Sequence, residues 1–190
     1  MSRYEILLFL HIAFVILWLG SGFLFHVLAY RADRASDETA TEKILDDLVS
    51  LANTLFIPSS LLVLVFGILL TLDGPWSFGE LWILLGLVGF AITFATGLLW
   101  ITPQSKRVRS VMGRDGGLSP EAYALARRLM TFARLDYVVL FLVVFDMAVK
   151  PTGDDLGALV LMGVVLVVSA GYFGWRARSV EVPAATGQPA

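Results

Sequence analysis

The sequence predicts an all-α fold, a polytopic membrane bundle of five transmembrane helices with its N-terminus outside and its C-terminus in the cytoplasm. Three observations predict it. Of the 190 residues, 57% are hydrophobic and only 16% charged, with a mean hydropathy of +0.79, which is the composition of a membrane chain. Five long apolar runs are separated by short polar stretches. Lysine and arginine are sorted: Arg31, Arg34, Lys43, Lys106, Arg107, Arg109, Arg114, Arg127, Arg128, Arg134, Arg176 and Arg178 fall on one side, 12 in all, against 2, Arg3 and Lys150, on the other. The net charge of -2 offers no basic field to nucleic acid. The lack of cysteine excludes disulfides, thiolate metal sites and a cysteine nucleophile.

The first span, Tyr4 to Tyr30, is long enough to cross a hydrocarbon core of about 30 Å. It has neither a basic n-region nor a small-residue cleavage pattern, and is expected to be retained. Within it His11 and Trp18 lie two turns apart, and Gly22 returns to the same face within about 20°. His26 lies roughly 22 Å further along the axis, and an interfacial role beside Tyr30 and Arg31 is expected for it.

In Arg31 to Ser50, Asp37 and Glu38 open a helix, and Thr39 with Glu42 matches a capping box. Ile44, Leu45, Leu48 and Leu51 give it an apolar face that leads into the second span, Leu51 to Leu72, where Pro58 is expected to kink the helix. The turn Asp73 to Glu80 carries Trp76 and Phe78 at a membrane boundary. The third span, Leu81 to Ile101, has Gly86, Gly89, Thr93 and Gly97 for close packing. Pro103 to Ser119 is expected to be a basic loop. Ser119-Pro120-Glu121 is a helix start, and the helix that follows runs to Val149, its first third projecting into the cytoplasm. Leu156 to Trp175 form the last span. Residues 1–178 are thus expected to make one transmembrane domain, and 179–190 a disordered cytoplasmic tail.

Most enzyme classes have no motif here. There is no glycine-rich phosphate loop, no His-Glu-x-x-His and no recognisable serine, histidine and acid trio. The polar residues at membrane depth carry what chemistry remains, because a charge there normally faces the bundle interior or a cavity. A neutral His11 can ligate haem iron or another metal, relay a proton, or simply hydrogen-bond to a neighbouring helix. Asp146 and Lys150, four apart with the acid first, suit a helical ion pair. The alternative sets Asp146 beside His11 as an orienting carboxylate. Asp136, flanked by Arg134, reads as half of a locally neutralised pair.

His11, Trp18 and Gly20 after Leu-Leu-Phe-Leu, Trp76, and Met147-Ala148-Val149-Lys150-Pro151 together resemble a domain-of-unknown-function family of predicted bacterial integral membrane proteins, over roughly Ile6 to Pro151. That resemblance implies a multi-pass protein of the bacterial plasma membrane. More distantly, the first-span pattern is similar to HemJ-type protoporphyrinogen oxidases and to the membrane domain of CopD copper-resistance proteins. By the HemJ likeness His11 is the haem b ligand candidate and Lys150 the counterpart of a closing Lys-Pro lysine. Where those oxidases carry a lysine three residues before the histidine, this chain has Leu8.

Two functional readings follow. In one the bundle binds haem b: His11 is the ligand, Trp18 and Gly22 make room for the macrocycle, and Asp146 or Lys150 addresses it, with Met147 or a second protomer supplying any other axial ligand. In the other it is a non-enzymatic scaffold or assembly partner, a homo-oligomer or the companion of another membrane protein, whose polar residues only pack. A copper or other metal site rests on the CopD likeness alone, as no methionine-rich or histidine-rich cluster is present.

Overall fold

The computed structural model describes residues 2–35 and 38–180. Every described element is a helix: α1 (Arg3–Ala35), α2 (Glu38–Leu51), α3 (Ile57–Asp73), α4 (Leu81–Thr96), α5 (Thr102–Asp115), α6 (Pro120–Val149) and α7 (Leu156–Arg178). Short π-helical segments, Ala52–Phe56 and Gly97–Ile101, join α2 to α3 and α4 to α5, so each pair forms one continuous rod. α1 packs along α3, α4 along α6, and α6 also carries α5 and α7.

Four stretches are long and apolar enough to cross a membrane: Arg3–Arg31, Thr54–Asp73, Leu81–Asp115 and Leu156–Arg178. α6 falls outside that set because Arg134, Asp136 and Asp146 all lie in its last 18 residues.

The two π segments share a cause. A proline cannot donate to the carbonyl four residues back, and its ring crowds that carbonyl. Pro58 and Pro103 each lie just beyond a π segment, where one widened turn takes up the misfit. At Pro103 the carbonyl of Gly97 is bonded by both the Thr102 N–H and, at 2.9 Å, the Thr102 hydroxyl. The expected loop Pro103 to Ser119 is therefore corrected. Helix continues to Asp115, and only residues 116–119 turn, with Gly116 left-handed at φ 75° as the C-cap. Ser119 then caps α6, accepting from the Ala122 N–H at 3.3 Å, with Pro120 in the first turn.

α5 and α6 close over a core of Val108, Val111, Ala122, Leu125, Ala126 and Leu129. Arg114 bridges Glu121 at 2.7 Å across the turn. We call this the basic end. At the start of α2, Thr39 lies inside the helix and does not cap it. The expected roles of Asp37, of the Leu45 and Leu48 side chains, and of the tail from residue 181 onward lie outside the described residues.

Candidate functional site

At the end opposite the basic one, Lys150 terminates α6 in a left-handed conformation, φ 52° and ψ 58°, its N–H bonded to the Asp146 carbonyl. That rotation takes its side chain off the α6 face. Its ammonium lies over the indole of Trp76, 4.2 Å from the centroid, and 5.4 Å from that of Trp82. The two indoles meet edge to face at 5.2 Å. Glu80 accepts from the Ser77 N–H at 3.0 Å and from the Trp82 indole at 2.7 Å; these bonds, with Lys150 nearby, hold its carboxyl below the usual range. Arg3 pairs with Asp73 at 3.3 Å, and the Tyr4 hydroxyl accepts from the Trp76 indole at 3.5 Å.

The expected Asp146 to Lys150 ion pair is thus absent, because the helix ends between the two side chains. Asp146 is 0% exposed, and neither carboxylate oxygen has a hydrogen-bond partner. It borders α4: a Cβ placed on Gly86 comes to 3.5 Å from one of its oxygens.

The first-helix stripe faces the interior, and its members meet different helices. His11 packs on α3, where its Nδ1–H donates to the Val63 carbonyl at 2.9 Å and its ring fills the notch at Gly67. Its hydrogen bond goes to a backbone carbonyl, not to Asp146. Trp18 meets Phe90 of α4 edge to face at 5.8 Å. Gly22 leaves space for Tyr137 of α6, whose ring would lie 2.9 Å from a Cβ there and whose hydroxyl donates to the Leu19 carbonyl. Met147, the other axial-ligand candidate, rests its methyl on Gly86 of α4.

Toward the basic end lies a cavity of about 200 Å³, walled by α1, α3, α4, α5 and α6. Trp18 and Gly22 line it; so do His26, Asp136 and Tyr137, and His11 does not. His26 packs against α6: its Nδ1–H donates to the Gly22 carbonyl at 2.8 Å, its ring lies 4.9 Å from that of Tyr137, and its Nε2 is buried without a partner. One expectation is corrected here: Asp136 and Arg134 are not a pair. Residues two apart point to nearly opposite sides of a helix. Asp136 faces this cavity, and Arg134 lines a separate hollow with Thr41 and Tyr123. The one sequence signal for the cavity was Gly22 four residues before His26, a histidine one turn from the glycine that admits Tyr137.

Among the described residues no three His, Cys, Asp or Glu side chains gather where they could hold a metal ion. The model of a family described as "Predicted integral membrane protein (DUF2269)" matches residues 5–151. The chain belongs to this family. The match takes in the His11 stripe, the hollow and the Lys150 cap, and ends before α7. No curated protein and no solved structure matches the DUF2269 chain, and none of the comparisons supports the expected likeness to HemJ-type oxidases or CopD proteins.

Proposed function

We propose that the DUF2269 chain is a single five-span bundle of the bacterial plasma membrane, N-terminus outside, and that α6 supplies the fifth span. Support for the span comes from where its charges point: Asp146 is enclosed at the α4 contact, and Asp136 lines the hollow shared with α1, α3, α4 and α5. Support for the orientation is the basic end, which collects 12 of the 14 lysines and arginines. The natural chain has no cysteine, so single cysteines report topology cleanly. In intact cells an impermeant maleimide labels Gly153→Cys and reaches Ser110→Cys only after lysis; the reverse pattern overturns the orientation, and accessibility of both residues from one side removes a span.

Within that bundle we assign His11 as the ligand-bearing residue, with haem b as the group it suits. The observation that carries this is the Nδ1–H bond to the Val63 carbonyl, which fixes the tautomer and leaves the Nε2 lone pair for coordination, as in haem-ligating histidines. Haem, if bound, would supply electron-transfer or oxidase chemistry, and His11 would be the residue that holds its iron. Met147 packs toward α4 while His11 packs toward α3, which favours a single protein ligand.

A second reading is favoured by the packing. Gly22, Gly67, Gly86 and Gly89 each receive a side chain from the facing helix, and His11 fills its notch as Tyr137, Met147 and Val143 fill theirs. On this view His11 is a knob in a scaffold. Absorption spectroscopy of protein purified after haem-supplemented expression separates the two. A Soret band lost in His11→Ala and kept in His26→Ala supports the ligand reading; colourless protein supports the scaffold.

A further inference from the structure

The inner cavity has a chemical bias that neither reading uses. Five hydroxyls stand in its wall, and each has committed its proton to a main-chain carbonyl: Ser60 to Ile57, Thr93 to Phe90, Thr102 to Gly97, Ser105 to Ile101 and Tyr137 to Leu19. His26 has likewise given its Nδ1 proton to the Gly22 carbonyl, and its Nε2 is enclosed and presents no surface to the space. Asp136 adds a carboxyl that bonds to none of the described residues. The donors left are the Trp18 indole and Lys106, which is exposed at one edge of the space. The rest of the wall is apolar and largely aliphatic, with three phenylalanines in it: Phe25 and Phe56, in edge contact at 5.9 Å, and Phe94.

A site rich in unused acceptors, with one carboxyl and ring faces, is complementary to a donor that carries positive charge on an apolar body. The volume, about 200 Å³, is below the roughly 300–1,000 Å³ of drug-sized pockets and suits a single ring with a short arm. We propose that this cavity is a binding site for a small organic ammonium, with Asp136 as counter-charge and the apolar wall, Phe25, Phe56 and Phe94 included, around the hydrocarbon part. The site lies along α1 from His11 and does not depend on haem.

The test uses the full chain in lipid nanodiscs and three probes of matched shape: phenylethylammonium, 2-phenylethanol and 3-phenylpropionate. Tryptophan fluorescence and the unfolding midpoint are followed against concentration. The ammonium gives a saturable change and a raised midpoint, and the alcohol and carboxylate give neither over the same range. In Asp136→Asn, which keeps the shape and removes the charge, ammonium affinity falls at least tenfold. Equal binding of the alcohol, preference for the carboxylate, no saturable ammonium binding, or unchanged affinity in a folded Asp136→Asn each overturns the proposal. The wild-type selectivity series decides it without any variant.

Discussion

Asp146→Val raises stability, by about 1–3 kcal/mol. The carboxyl is completely enclosed with both oxygens unpartnered, and the one cation within a turn, Lys150, is held over two indoles instead. Such a group pays its dehydration with no hydrogen bond in return. Valine is close in size and removes the polar atoms; its stiff side chain loses only a few tenths of that gain to helix propensity. Asp146→Asn is the control, because it keeps the shape and keeps polar atoms unpartnered, so its midpoint stays near the wild type. Thermal unfolding in one detergent, read by circular dichroism, measures all three proteins. A fall in Asp146→Val would mean that the carboxyl is paid for by a bound partner, and would make it part of a site.

Gly89→Ala costs a similar amount with the opposite sign, about 1–3 kcal/mol. A Cβ at Gly89 collides with a γ-methyl of Val143. Valine in a helix is confined to essentially one rotamer and cannot swing aside, so α4 and α6 must part. Gly86→Ala is the informative comparison. There the obstacle is the terminal methyl of Met147, on a flexible thioether that can turn away, and the loss is correspondingly small. Val143→Ala introduced into Gly89→Ala recovers most of the stability, and a double-mutant cycle on unfolding midpoints isolates that coupling. If Gly89→Ala is neutral, the two helices are not in close contact at that level.

What could be read from the chain follows from what periodicity encodes. Long apolar runs located α1, α3, α4 and α7 because length and composition alone suffice for them. The start of α6 was legible because Ser119 and Pro120 announce a helix chemically. Pro103 misled, since a proline after an apolar run normally marks an end; the remedy, a turn widened at Gly97–Ile101, leaves no mark in the residue pattern. The stripe of His11, Trp18 and Gly22 was correctly placed on one inward face, but spacing along one helix cannot say which neighbour each side chain meets. The company of His26 was illegible for the same reason, as its ring partner Tyr137 comes from α6, more than a hundred residues away. The spacing of Asp146 and Lys150 promised a pair only for a helix that continued, and the left-handed residue at 150 removed the premise.

The widened turn in the α4 to α5 rod has a geometric consequence for the inner cavity. Thr93, Gly97, Ile101 and Ser105 follow one another at intervals of four and all line it. On a regular α-helix each such interval drifts by about 40°, so the last of the four would have wandered some 120° around the barrel. The extra residue admitted at Gly97–Ile101 offsets most of that drift, so this row and its neighbour, Phe94, Leu98, Thr102 and Lys106, both stay turned toward one hollow. The proline downstream thereby acts as a phase corrector: it aligns two stretches of helix whose faces would otherwise fall out of step.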